Sequence, residues 1–374
     1  MKKILSILLT ASMALGLTAC GGAETKPVAK DEVSKEEYIQ AIIDDMDAAE
    51  KAGQLIMADF RTNADGTGMT VLSDEAKQAL QEYHVGGVIL FAENLDTKEQ
   101  TQQLTADLQE AADLPLLIGI DEEGGLVSRL KKSNIPHEIF PDAAEMEDAA
   151  YAGKTIGMEL AELGINVDFA PVADVNTNPD NPVIGTRAFS SDPQAAASKV
   201  AEFITAIEET GVSACAKHFP GHGDTAMDSH LGETYVEHDM DRLRSVEFVP
   251  FEQAITAGTD FIMAGHIKTP NATSDGLPAT LSAEMLGILR NDLGFKGIIT
   301  TDAMNMGAIV EAYGSGESAV MAVQAGVDIV LMPADLTEAA EALTEAIQNG
   351  TVSEERVNDA LWHILSFKYD KGLL

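Results

Sequence analysis

Residues 214–230, ACAKHFPGHGDTAMDSH, place Lys217, His218, His222, Asp224, Asp228 and His230 on one segment directly after a short apolar run. Five of the eight histidines (His218, His222, His230, His238 and His266) fall between positions 218 and 266. Pro220, Gly221 and Gly223 forbid a regular helix there, so the segment reads as a loop carrying proton-transfer groups. Loops held on a rigid scaffold are where catalytic side chains concentrate. Far along the chain Asp302 closes an apolar run within Thr300-Thr301-Asp302-Ala303-Met304. An aspartate ending a buried strand, facing a loop with Asp228 and His230 two residues apart, suits a nucleophile opposed to a carboxylate-assisted imidazole. The carboxylate fixes the tautomer of one ring nitrogen, and the other nitrogen passes a proton to or from a reacting oxygen.

Each group taken alone has a plainer reading. Asp302 could cap the helix that follows, His266 could be a hydrogen-bonded core histidine, and Arg187 could pair with a surface acid. A metal site is a rival, since His218, His222, Asp224, Asp228 and His230 supply enough ligands. Gly221 and Gly223 flank His222, however, so the spacing of the two histidines loses its helical meaning. Neither a metal nor another cofactor is expected.

The elements that must position these groups follow a regular alternation. Eight short apolar runs, Gln54–Phe60, Gly87–Phe91, Leu116–Ile120, Asn166–Val172, Ser213–Lys217, Asp260–Ala264, Gly297–Thr301 and Asp328–Met332, read as strands. Between and after them lie helical patterns, among them Thr97–Ala112, Ala143–Leu163, Pro193–Thr210, Asp241–Ala257, Ala283–Leu293, Gly316–Ala325, Thr337–Gln348 and Ser353–Tyr369. Apolar strands alternating with helices imply parallel pairing with both sheet faces buried. Eight such units predict an α/β fold with a single (β/α)8 TIM barrel. The open doubly wound sheet is disfavoured because no glycine-rich fingerprint follows the first strand. Gly86-Gly87, Gly164 and Gly258 fit helix C-caps that turn into the next strand.

A barrel places its functional groups just after the strands, on the C-terminal face. Asp121-Glu122-Glu123-Gly124-Gly125 follows the third run, Arg187 lies in the long loop after the fourth, and residues 214–230 end the fifth. His266 follows the sixth run and Asp302 the seventh. Several strands thus aim polar groups at one opening.

The formal charge of −37 disfavours nucleic acid and anionic lipid headgroups as partners. Met1-Lys2-Lys3, the apolar run Ile4–Leu17 and Leu17-Thr18-Ala19-Cys20 form the three zones of a secretory signal. The run is shorter than the ~20 residues of a comfortable membrane span. Residues 1–20 are expected to be a leader, 21–37 a flexible tether and 38–374 one catalytic-sized domain. Cys215, in an apolar run, is expected to be a small core residue without a disulfide partner.

The ending LTAC resembles the bacterial lipobox, which implies lipidation at Cys20, a membrane lipid anchor and an extracytoplasmic location. KHFPGHGDT at 217–225, Asp228-Ser229-His230, IDEEGG at 120–125, GTRAF at 185–189 and TTDAM at 300–304 together resemble glycoside hydrolase family 3, in its β-N-acetylglucosaminidase branch. The resemblance implies a β-N-acetylhexosaminidase that hydrolyses terminal β-linked N-acetylglucosamine with retention, on carbohydrate from cell-wall fragments. Asp302 resembles the nucleophile and His230 the general acid/base, oriented by Asp228. Most retaining glycosidases use two carboxyl groups ~5 Å apart instead. Asp121, Arg187, Lys217 and His218 resemble the sugar contacts, and Arg129 resembles a contact near the leaving sugar. The alternatives are substrate assistance oriented by Asp121-Glu122, a glycan-binding lipoprotein without catalysis, and a β-glucosidase or phosphorylase on the same scaffold. The protein is expected to act as a monomer.

Overall fold

The structure is a computed structural model that describes residues 33–374 apart from 228, 230 and 231. The expected leader, Cys20, most of the tether, Asp228 and His230 therefore lie outside the described residues. Eight parallel strands form one sheet: β1 (Ile56–Asp59), β2 (Gly87–Leu90), β3 (Leu117–Ile120), β4 (Val167–Asp168), β5 (Ser213–Phe219), β6 (Phe261–Ala264), β7 (Ile298–Thr301) and β8 (Val330–Leu331). Their order is β7-β6-β5-β4-β3-β2-β1-β8. A parallel bridge between Thr300 and Ile329 joins the last two edges and closes the barrel.

Every strand is flanked by apolar residues on both faces, because helices cover the outside and side chains fill the inside. Val88, Ile118, Val167, Ala214, Ile262 and Val330 are completely buried. On the outer side of β5, Phe219 stacks on Phe248 at 5.2 Å and meets Phe251 edge-on at 5.4 Å.

The expected eight runs are the eight strands, with shifted ends. Gln54 closes a helix (Ala48–Gln54), so β1 begins two residues later than its apolar run. The fourth run is a strand only at Val167–Asp168, after which Ala170-Pro171 makes a cis bond. β5 extends past Lys217 to Phe219. The pattern Asp241–Ala257 is not one helix. Pro250 has no N–H to continue the ladder, and Phe248 N–H reaches back five residues to the Leu243 carbonyl at 2.8 Å before Val249–Ala257 resumes.

Three residues of the expected tether are helical. Ser34 and Glu37 form a reciprocal capping box that starts the helix Lys35–Asp45. Gly164 and Gly258 take left-handed conformations as the C-cap reading requires, with φ of 76° and 87°. At the Gly86 corner the left-handed residue is instead His84, with φ of 51°.

Candidate active site

Asp121 is the first residue after β3, and the chain continues extended as Glu122–Gly124, pairing antiparallel with Val127–Ser128. Side chains alternate along extended chain, so Asp121 and Glu123 share one side and Glu122 takes the other. Glu122 is engaged by backbone: its Oε2 accepts Arg129 N–H at 2.8 Å and Leu130 N–H at 3.0 Å. Its own N–H donates to Asp168 Oδ1 at 2.9 Å. Glu122 therefore anchors the hairpin, on the side of the extended chain opposite Asp121.

Asp121 and Glu123 meet Lys217 from β5. The Lys217 ammonium lies 2.8 Å from Asp121 Oδ1 and 2.7 Å from Glu123 Oε1, and the residue is 2% exposed. Arg187 donates to Glu123 with two nitrogens, at 2.9 and 2.8 Å. Arg129 closes the chain of contacts on Asp121 Oδ2 at 2.8 Å. Two carboxylates and three cations from four parts of the sequence thus form one network. Burial alone would raise the Glu123 carboxyl, but Arg187 and Lys217 outweigh it and hold it at about 2. Asp121 is likewise pushed below the carboxylate range: burial opposes this, and Lys217 and Arg129 prevail. The same carboxylates raise Lys217 against the effect of burial, so both partners stay ionised.

Between Lys217 and Phe219, two residues of β5 span one step of β6. This bulge takes His218 N–H out of the ladder, and it donates to Asp174 Oδ1 at 3.2 Å. His218 Nδ1 lies 2.8 Å from Asp174 Oδ2, and His222 N–H reaches Asp174 Oδ1 at 2.6 Å. The loop then packs tightly: a Cβ on Gly223 would lie 1.9 Å from the Val175 carbonyl oxygen, which only glycine avoids.

His222 bonds Thr225 Oγ1 through Nδ1 at 2.6 Å and Ser229 Oγ through Nε2 at 3.0 Å. The Thr225 hydroxyl donates to the His222 carbonyl, so it accepts from Nδ1–H, and Nε2 accepts from Ser229. Burial lowers His222 to about 4 and keeps it neutral. Asp224 accepts from Thr177 Oγ1 and contacts His238 Nε2, both at 2.7 Å. His222 and Asp224 thus tie the loop to Thr225, Ser229, Thr177 and His238.

Asp302 follows β7. Its N–H donates to Ala264 O of β6 at 2.8 Å and its Oδ1 accepts Ala303 N–H at 2.7 Å. The next helix, Gly307–Val310, has Met306 at its N-cap, so Asp302 is not that cap. The Asp302 charge acts on His222 and on the buried Cys215 thiol. His266 Nε2 donates to the Ala303 carbonyl at 2.9 Å, bracing the residue after Asp302. Ser229 is tied to the same region, because its carbonyl accepts Ala308 N–H at 3.2 Å.

The structure thus gathers Asp121, Arg129, Arg187 and Lys217 into one network and places His218 beside it in sequence, while Asp302 lies at the same strand-end face. Sequence reasoning missed Glu123 and Asp174. Alternation after Asp121 was signal enough for Glu123, whereas Asp174 carries no local signature. Asp328, Asp359 and His363 could also offer ligands to a cation, but Asp328 already receives Arg290 at 2.7 Å and Arg356 at 2.6 Å.

The profile of the Glycosyl hydrolase family 3 N terminal domain matches residues 48–367. Beta-hexosaminidase A of Pseudoalteromonas piscicida is 34% identical over 359 residues, covering 84% of this chain and 60% of the relative. Beta-hexosaminidase of Xanthomonas oryzae pv. oryzae (strain KACC10331 / KXO85) is 34% identical over 278 residues, covering 71% and 82%. The solved structure of a glycoside hydrolase family 3 beta-N-acetylglucosaminidase from Paenibacillus sp. str. FPU-7 aligns with a TM-score of 0.82 at 39% identity. That alignment covers 88% of this chain and 63% of the other. The chain thus spans less than two thirds of the Pseudoalteromonas and Paenibacillus proteins.

Proposed function

We propose that this chain, which belongs to glycosyl hydrolase family 3, removes terminal non-reducing β-linked N-acetylglucosamine from glycans. The observation that carries the reading is the network of Asp121, Glu123, Lys217, Arg187 and Arg129, set among strand ends that also bear Asp302. Fixed donors and acceptors of both signs suit a polyhydroxylated sugar, and their ionisation states are locked by one another. The three relatives described above carry hexosaminidase or N-acetylglucosaminidase in their names.

In this reading Asp302 attacks the anomeric carbon while the glycosidic C–O bond breaks, and the leaving oxygen takes its proton from His230. Water then attacks the glycosyl–Asp302 ester, giving its proton to the imidazole, and the Asp302 carboxylate is released. Asp228 orients His230 and stabilises the imidazolium. Ala303 N–H orients Asp302 through Oδ1. Asp121, Arg187, Lys217 and His218 hold the non-reducing sugar, and Arg129 lies toward the leaving group.

In the same reading residues 1–20 are a leader, Cys20 is lipidated and the protein is a lipid-anchored monomer on the outer side of a bacterial membrane; the lipobox-like LTAC ending supports the anchor. Cell-wall fragments in which N-acetylglucosamine is linked to N-acetylmuramic acid are its substrates there.

The test is release of nitrophenol from an aryl N-acetyl-β-glucosaminide, with the product anomer followed by NMR. Retention requires the β anomer to appear first. Asp302→Ala should lower kcat by about a thousandfold or more, and azide should restore turnover in His230→Ala. Near-normal kcat in Asp302→Ala would rule out the covalent route.

A further inference from the structure

The carboxylate of Asp174 is completely buried and takes three hydrogen bonds, all from the KHFPGH segment. Two come from peptide N–H groups, of His218 at 3.2 Å and His222 at 2.6 Å, which can only donate. The third is His218 Nδ1 at 2.8 Å. A carboxylate that receives these donors holds the imidazole proton on Nδ1 and leaves Nε2 with a lone pair. His218 is 6% exposed, and its Nε2 is neither bonded to a described residue nor among the buried polar atoms that lack a partner. It therefore lies on the accessible edge of the ring, next in sequence to Lys217.

We propose that Asp174 is a positioning residue for sugar recognition: acting through His218, it presents the Nε2 lone pair as an acceptor for a sugar hydroxyl. The inference rests on the reading that His218 contacts the sugar. Lys217 can only donate, so the two neighbouring residues offer bound hydroxyls one group of each kind. A hydroxyl is both donor and acceptor, and a site supplying both discriminates against analogues that lack it more sharply than one that supplies either alone.

Asp174→Asn separates this role from mere support of the loop. The asparagine oxygen still accepts the two peptide N–H groups, while its NH₂ faces His218 Nδ1 and drives the ring proton to Nε2. Kinetics on an aryl N-acetyl-β-glucosaminide would be compared for the wild type, Asp174→Asn, His218→Ala and the double variant. Asp174→Asn should reduce kcat/KM by about tenfold in the wild-type background and by no more than about twofold when His218 is alanine. Equal losses in both backgrounds would mean that Asp174 only supports the loop, and would overturn the proposal.

Histidine ¹⁵N NMR supplies a readout that does not depend on the variant's folding. The wild-type His218 ring must carry its proton on Nδ1 at neutral pH, and finding it on Nε2 would overturn the proposal outright. Absence of all glycosidase activity in a wild type with the expected tautomer would instead sink the functional reading.

Discussion

Glu123 Oε1 lies 2.7 Å from the Lys217 ammonium, and both side chains are almost entirely enclosed. The pair forms because Glu123, in the extended segment after β3, and Lys217, near the end of β5, reach toward the same point, and Arg187 then completes the neutralisation from the loop after β4. Breaking one partner of a buried ionic network leaves the others uncompensated.

Glu123→Gln is therefore expected to cost about 3–5 kcal/mol of stability at neutral pH. The folded-state carboxyl titrates at about 2, below its unfolded value of 4.5. The contribution is present above 4.5 and is lost as pH falls toward 2. Denaturant melts of the wild type and variant should converge over that window, and a constant difference would contradict the assignment.

Ser229 joins His222 to the region after Asp302 and sits, in sequence, between Asp228 and His230. Ser229→Ala should slow hydrolysis of substrates with poor leaving groups about five- to tenfold, the worth of one buried hydrogen bond. Activated dinitrophenyl substrates, which need little proton donation, should be nearly unaffected. Equal losses on both substrates would disconnect Ser229 from the acid/base step.

Lys368 is buried without a carboxylate partner among the described residues, its Nζ donating to Gln54 Oε1 at 2.9 Å and Gly86 O at 3.3 Å. Burial lowers its ammonium from 10.5 to about 7. The unfolded chain therefore binds the proton more tightly, and this group makes stability rise with pH between 7 and 10.5. Lys368→Met should flatten that rise, measured as Tm against pH. An unchanged slope would mean that Lys368 stays charged in the fold.

Glu208 works in the opposite direction. It shares Lys371 with Asp260, each carboxylate 2.7 Å from the ammonium. Burial and then the Asp260 charge raise Glu208 to about 8. Its stabilising proton is fully present below 4.5 and is lost as pH rises through 8. Glu208→Gln, a mimic of the protonated acid, should remove the loss of stability between pH 4.5 and 8. A variant that tracks the wild type across this range would mean that Glu208 is already ionised in the fold.

Much of this architecture is legible in the residues themselves. The apolar runs mark all eight strands, since a strand buried on both faces needs continuous apolar sequence. The rule that barrel loops follow strand C-termini brings Asp121, Lys217 and Asp302 to one face. Strand ends were less legible: Gln54 completes a helix and β5 continues to Phe219, because the hydrogen bonds of neighbouring strands set where a ladder stops.

What the sequence determined by itself was period, handedness of connection and the chemical types at the strand ends, all properties of near neighbours along the chain. The tertiary structure alone decided which charge meets which. Lys217 and Asp121 are 96 residues apart, and Lys368 and Gln54 are 314 apart. Asp174 reaches His218 across 44 residues, and no local pattern distinguishes it from Asp168, whose Oδ2 is buried with no hydrogen-bond partner among the described residues. Partner choice follows strand order and register, and these are fixed only when the barrel closes.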